Sequence, residues 1–149
     1  HDSFASRSFR MNPTPYLFFN GNCTEALDAY ADIFGAQIDM KLLATEMPPE
    51  YPIPDDRRHW IMHASMKIGG GELMLSDDLM GETGAMSGCS VMMNYATNSE
   101  AETVFGKLAE GGTVEMPFEP TFWAAGFGTL TDRFGIRWMV GCDEPPAEA

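Results

Sequence analysis

The sequence predicts an α+β fold built from two βαβββ modules related by a pseudo-twofold. Three observations lead there. The chain matches itself without a gap at an offset of 75 residues, PYLFFNGNCTEALDAYADIF (15–34) lying over SVMMNYATNSEAETVFGKLA (90–109). Each half carries one segment with an apolar stripe at helical spacing. Each of these segments is followed by three strand-like stretches divided by turn residues.

Residues 1–10, HDSFASRSFR, read as an expression leader, because they begin with a bare His and precede Met11. A single domain is expected over 11–143, with module one at 14–78, a Met/Gly linker at 79–88, module two at 89–142 and an acidic tail at 144–149. Both modules open on a short apolar run: Tyr16 to Phe19 fall on Val91, Met92, Met93 and the polar Asn94. Thr24-Glu25-Ala26 then falls on Ser99-Glu100-Ala101, Tyr30 on Phe105 and Ile33 on Leu108. A hydroxyl residue there can accept a bond from an orphan N–H of the first turn, and the Glu after it suits the positive helix end. Helices are therefore expected near 24–34 and 99–110. Ala26, Leu27, Tyr30, Ile33 and Phe34 form one buried stripe, with Asp28 and Asp32 outside. Ala101, Val104, Phe105, Leu108 and Ala109 form the other, with Glu102, Thr103 and Lys107 in water. Gly35 and Gly111-Gly112 supply the stops.

The strands after the first helix are read as 37–45, 59–70 and 72–77, and those after the second as 113–118, 121–131 and 136–142. IGGG (68–71) and Asp132-Arg133-Phe134-Gly135 divide the last two strands of each half, the latter as a hairpin turn rather than a charged active-site loop. The one long irregular stretch is TEMPPEYPIPDDRRH (45–59), whose prolines forbid a regular interior element. A loop of that length is uncommon unless it covers something, and it is read as a mobile cover.

Composition narrows the function. The formal net charge is −13, and the leader's Asp2, Arg7 and Arg10 make the remainder one unit more acidic still. Such a chain repels phosphate backbones, so no nucleic-acid partner is expected. No apolar run approaches the roughly 20 residues of a membrane span, so no membrane partner is expected either. Cys23, Cys89 and Cys142 have no paired spacing, which reads as buried thiols in a reduced, cytoplasmic setting.

YLFFNGNCTEALDAY, HASMKIGGGELMLSDD and TFWAAGFGTLTDRFGIRWMV closely resemble the PhnB-like branch of the vicinal oxygen chelate superfamily, which includes glyoxalase I, extradiol dioxygenases and bleomycin-resistance proteins. The resemblance spans residues 14 to 142. It implies an eight-strand, U-shaped mixed sheet around a central cavity, helices outside, and a homodimer. The branch has been labelled a demethylubiquinone methyltransferase, but no G-x-G-x-x-G loop follows a strand here.

In metal-dependent relatives the ligands sit at the start of the first strand and on the last strand of each module. The repeat places these positions on Pro15, Ser90, Leu75 and Met139, none of which suits a divalent ion. His59 and His63 are spaced i, i+4, which chelates on a helix. On a strand it separates the Cα atoms by roughly 13 Å. The alternation of Trp60, Met62, Ala64, Met66 and Ile68 against Ile61, His63, Ser65 and Lys67 says strand. No metal site and no cofactor are expected.

His63 is then the candidate acid/base group if the apolar side of its strand meets the helices. Trp60, Ser90, Phe122, Trp123, Phe127 and Met139 are the candidate lining of an apolar small-molecule pocket. In the PhnB-like branch the Phe-Trp pair is commonly followed by Gly-Asp-Arg; here Ala124-Ala125-Gly126 stands instead and leaves that wall more apolar. The expected function is that of an enzyme on a small organic substrate. The alternative is a non-catalytic binder sequestering a hydrophobic or cationic compound, as bleomycin-resistance proteins do.

Overall fold

The computed structural model describes residues 11–147; residues 1–10, expected to be a leader, and 148–149 of the expected tail lie outside them. Module one runs β1 (Tyr16–Phe19), α1 (Cys23–Phe34), β2 (Gln37–Leu43), β3 (Ile61–Ile68) and β4 (Gly71–Asp77). Module two runs β5 (Val91–Tyr95), α2 (Asn98–Ala109), β6 (Thr113–Glu119), β7 (Phe127–Thr131) and β8 (Arg137–Cys142). The α+β class and the paired βαβββ modules are as the sequence predicts. The eight strands form two hydrogen-bonded sheets of four, ordered β1-β4-β3-β2 and β5-β8-β7-β6. In each sheet the first and last strands of the module are parallel and the other pairs antiparallel.

Each helix covers one face of its own sheet, and the two helices touch. Tyr30 and Phe34 of α1 cross to Trp138 of β8, with ring centroids 5.4 and 5.2 Å away. Leu17, Phe19, Ala64, Met66, Leu73 and Leu75 from sheet one therefore share a core with Leu130, Trp138 and Val140 from sheet two. The opposite face of each sheet looks away from that core and is open.

The repeat holds in the helices and slips in the strands. Tyr30 and Phe105 are both buried, as the offset of 75 requires. In β1, however, Leu17 and Phe19 face the helix while Tyr16 and Phe18 are exposed; in β5 it is Val91, Met93 and Tyr95 that pack on the core, and Met92 that is exposed. Three residues join β1 to α1 and two join β5 to α2, so the strands are one residue out of phase, and one residue reverses every side chain.

The helix starts also differ from expectation. Thr24 and Ser99 lie inside the first turns rather than capping them. Thr97 caps α2, its Oγ1 accepting from Glu100 N at 3.3 Å. The start of α1 is held from another strand: the buried Asp77 carboxylate at the end of β4 accepts from Gly21 N at 2.7 Å and Cys23 N at 3.0 Å. Its second oxygen accepts from Ile61 N at 2.9 Å and fixes the start of β3. A carboxylate at a helix N-terminus satisfies orphan donors and meets the positive end of the dipole. Burial, then the nearby Asp77, pushes the Cys23 thiol well above its ordinary range.

Asp132 does more than punctuate the hairpin. It closes the turn, its backbone oxygen accepting from Gly135 N at 3.0 Å. Its buried carboxylate also accepts from Phe134 N, Ile136 N and Trp138 Nε1 at 2.9, 3.0 and 2.8 Å, and from the Tyr30 hydroxyl of the other module. Burial, then Asp132, pushes the Tyr30 phenol far up.

Residues 44–60 leave β2 and return to β3 through two short 3-10 turns. Ala44 N to Trp60 O and Thr45 N to Arg58 O, both 2.9 Å, draw the two ends together. Arg57 donates to the carbonyls of Asp78, Leu79 and Gly81 at 2.9, 3.3 and 2.6 Å, tying the loop to the linker. Of the three cysteines, Cys23 and Cys142 are buried as expected, whereas Cys89 is exposed. Part of the expected tail belongs to the fold: Glu144 accepts Asn98 N at 2.6 Å and Ala125 N at 3.0 Å.

Candidate functional site

Strand alternation decides what each open face presents. On sheet one, β1 contributes Tyr16 and Phe18, β4 contributes Met74 and Ser76, β3 contributes His63 and Ser65, and β2 contributes Met40 and Leu42. A register shift at Met62 turns Ile61 to the core side, so the alternation seen in the sequence fails at that end of β3. The rim is exposed, Phe18 at 51% and Met40 at 46%, while Ser76 and Ser65 at the centre are buried. The Tyr16 hydroxyl lies 3.0 Å from His63 Nδ1, and the Phe18 ring is 5.0 Å from that of Tyr16.

On sheet two, Met92 and Asn94 of β5, Met139 and Gly141 of β8, and Phe127 and Thr129 of β7 share the open face. Phe122 and Trp123 lie outside any strand, against the strand expected over 121–131. They sit in a loop ahead of β7, where Thr121 Oγ1 accepts from Ala124 N at 3.2 Å and Thr121 N donates to Ala124 O at 3.1 Å. That local turn chemistry displaces the strand start to Phe127. The three rings form a chain from the open face out to water: Phe127 is buried, Trp123 lies 5.3 Å from it and half-exposed, and Phe122 lies 4.8 Å further out at 90% exposure.

The structure thus groups Phe122, Trp123, Phe127 and Met139 on module two, with Ser90 half-buried just ahead of β5. His63 stands on the other sheet's open face. Trp60 stands apart from both faces, in the turn before β3. Its ring is stacked under the Arg57 guanidinium at 4.5 Å and against Gly21, where φ is 94° and a Cβ would meet it at 2.8 Å. Only glycine fits there, and Trp60 is a packing residue of the β1–α1 turn. A cleft of about 480 Å³ adjoins the β1 edge of sheet one, between β1, residues 83–87 and the β7–β8 turn, with Tyr16, Phe18, Met86, Phe134 and Ile136 among its walls.

Tyr16 is the residue sequence reasoning missed. The ungapped repeat set Pro15 and Ser90 as equivalent, but the one-residue slip makes Tyr16 the open-face position at the start of β1. Likewise Leu75 is buried on the helix side, and its open-face neighbour is Met74. The corrected set of Tyr16, Met74, Met92 and Met139 offers no imidazole or carboxylate, so it does not fit a divalent ion that wants such ligands. Among the described residues no three His, Cys, Asp or Glu side chains converge. His59 precedes β3 in a turn and is exposed. No described helix is long and apolar enough to cross a membrane.

The comparisons agree with this architecture. Residues 11–141 match the family model described as 3-demethylubiquinone-9 3-methyltransferase. Protein YjdN of Escherichia coli is 34% identical over 138 residues, covering 85% of this chain and 92% of that protein. The crystal structure of protein PA1353 from Pseudomonas aeruginosa is 43% identical, with a TM-score of 0.81 over 91% of this chain and 99% of that one. A putative 3-demethylubiquinone-9 3-methyltransferase, PhnB protein, from Bacillus cereus is 25% identical, with a TM-score of 0.75 over 89% and 99%. Proteins described as glyoxalase/bleomycin resistance protein/dioxygenase share the fold. A matched model over nearly the whole domain and these relatives show that the chain belongs to the PhnB-like, 3-demethylubiquinone-9 3-methyltransferase family.

Proposed function

We propose that the protein binds a small, largely apolar organic molecule at its open sheet faces, and that it does so without a bound metal. One observation carries this reading: the graded aromatic series Phe127–Trp123–Phe122 beside Met92 and Met139. Half-exposed aromatic and thioether groups clustered on one face form a surface that gains from being covered by an apolar ring. A homodimer fits the same reading, because bringing the open face of one copy against that of a second would turn two exposed faces into one enclosed site.

The enzymatic form of this proposal places His63 as the acid/base group. The sequestering form gains support from sheet two, whose central open-face residues Met92, Met139, Phe127 and Thr129 include no titratable side chain. Turnover of a bound compound separates the two.

Tryptophan fluorescence tests the binding itself. Titration with an aromatic probe such as naphthalene should shift the emission, and Trp123→Ala should weaken the affinity about five- to tenfold, the loss of one aromatic contact. EDTA should change neither the affinity nor the melting temperature. A stoichiometric divalent ion in the purified protein, or a bound probe insensitive to Trp123→Ala, would refute the proposal.

A further inference from the structure

The open face of sheet one holds a polar pair that the repeat concealed. We infer that Tyr16 and His63 together recognise a carbonyl oxygen on an aromatic ligand; this deepens the small-molecule reading above and rests on it. The two side chains come from β1 and β3, which are not neighbours, since β4 lies between them. Strands about 4.8 Å apart put those backbones roughly 10 Å from each other. A 3.0 Å contact across that gap requires both side chains to lie along the sheet rather than stand away from it. Ser76 of β4, on the same face, is 4% exposed. The pair is a rung laid across the centre of the face.

The chemistry of the rung follows from its donors. A neutral imidazole has one acceptor nitrogen and one N–H, and a phenol is a ready donor. With the Tyr16 hydroxyl donating to Nδ1, the His63 proton sits on Nε2. Tyr16 is the hydrogen-bond partner the described residues give His63, and no carboxylate pairs with it. On the same face Lys67 is engaged by Asp39 at 3.7 Å. In that arrangement the site offers the Nε2 N–H as a donor, which suits an acceptor such as a carbonyl oxygen. Phe18, 5.0 Å from the Tyr16 ring, and Met40 at the rim supply apolar contact for an attached ring.

Acetophenone and ethylbenzene test this, being alike in shape and differing in the oxygen. Nitrogen-15 NMR of the full chain should show His63 protonated on Nε2. Acetophenone should perturb that signal and bind about fivefold more tightly than ethylbenzene, the gain of one hydrogen bond. Tyr16→Phe should shift the tautomer ratio and abolish the preference; Tyr51→Phe, on the exposed loop, should do neither. A proton on Nδ1, or equal affinities in the unaltered protein, overturns the inference. If both probes bind equally, the small-molecule reading survives and the pair is a surface contact. If neither binds at either sheet, both fall together.

Discussion

Asp132 and Asp77 show how single buried carboxylates can organise a molecule of this size. Each is nearly inaccessible, and each serves donors from separate elements. Removing one partner of such a set leaves buried donors bare, which costs more than the net value of the bonds. Asp132→Ala should therefore destabilise the protein by about 3 kcal/mol or more in urea unfolding, whereas Arg133→Ala in the same turn, at an exposed position, should change little. Cys23 and Tyr30 make a second prediction, about pH. Burial raises both groups in the folded state, so the unfolded chain ionises first, near pH ~8.5 for a thiol and ~10 for a phenol. Stability is complete below those values and falls as pH rises beyond them. The urea midpoint should drop between pH 8 and 11, and Tyr30→Phe should flatten the part of the slope above about pH 10. At this scale the sequence was only partly legible. Asp132 announced its turn through local spacing, but its partner Tyr30 lies 102 residues away, and no pattern in one chain joins the two.

The helices were the most legible elements, because a stripe at i, i+3, i+4 is a local signal and tertiary packing agreed with it. Their ends were less so. Caps depend on a backbone angle that adjacent hydroxyl residues do not disclose, and Thr97 rather than Ser99 has the extended conformation a cap needs. Thr97→Ala should cost about 1 kcal/mol, and Thr24→Ala appreciably less, since the α1 terminus is held by Asp77; thermal melts of the two variants would show the difference. Among the strands, the slip between β1 and β5 hid Tyr16, since an ungapped match cannot reveal that one turn is a residue longer. The loop at residues 120–126 hid its break from the strand pattern for a related reason: Thr121 closes a local turn where the run of apolar residues read as continuous.

For the whole molecule, the outermost strands carry the clearest message. β2 exposes Ile38 and Met40, and β6 exposes Val114 and Met116, apolar residues on both sides of each edge strand. Unpaired apolar edges invite a partner. Sedimentation should give about twice the 16.4 kDa chain mass, and Met40→Glu with Met116→Glu should return the protein to monomer. A monomer in the unaltered chain would count against the dimer. Class and module count were legible in full, because a repeat reports on itself. How the modules meet was not, because it is set by side chains such as Tyr30 and Trp138 that periodicity marks only as buried.

The bond from Tyr30 to Asp132 also bears on how the chain comes to be folded as it is made. Residues emerge from the ribosome in order, so α1 is available long before the hairpin that holds its phenol. Until Asp132 arrives, the side of α1 that will meet Trp138 has nothing to lie against, and the first module waits in a loosened form with apolar surface uncovered. Independent modules would mature one after the other; here the second completes the first. Pauses in synthesis before residue 132 should accordingly be the dangerous ones, leaving a nascent chain that engages chaperones, whereas pauses after Cys142 should be harmless.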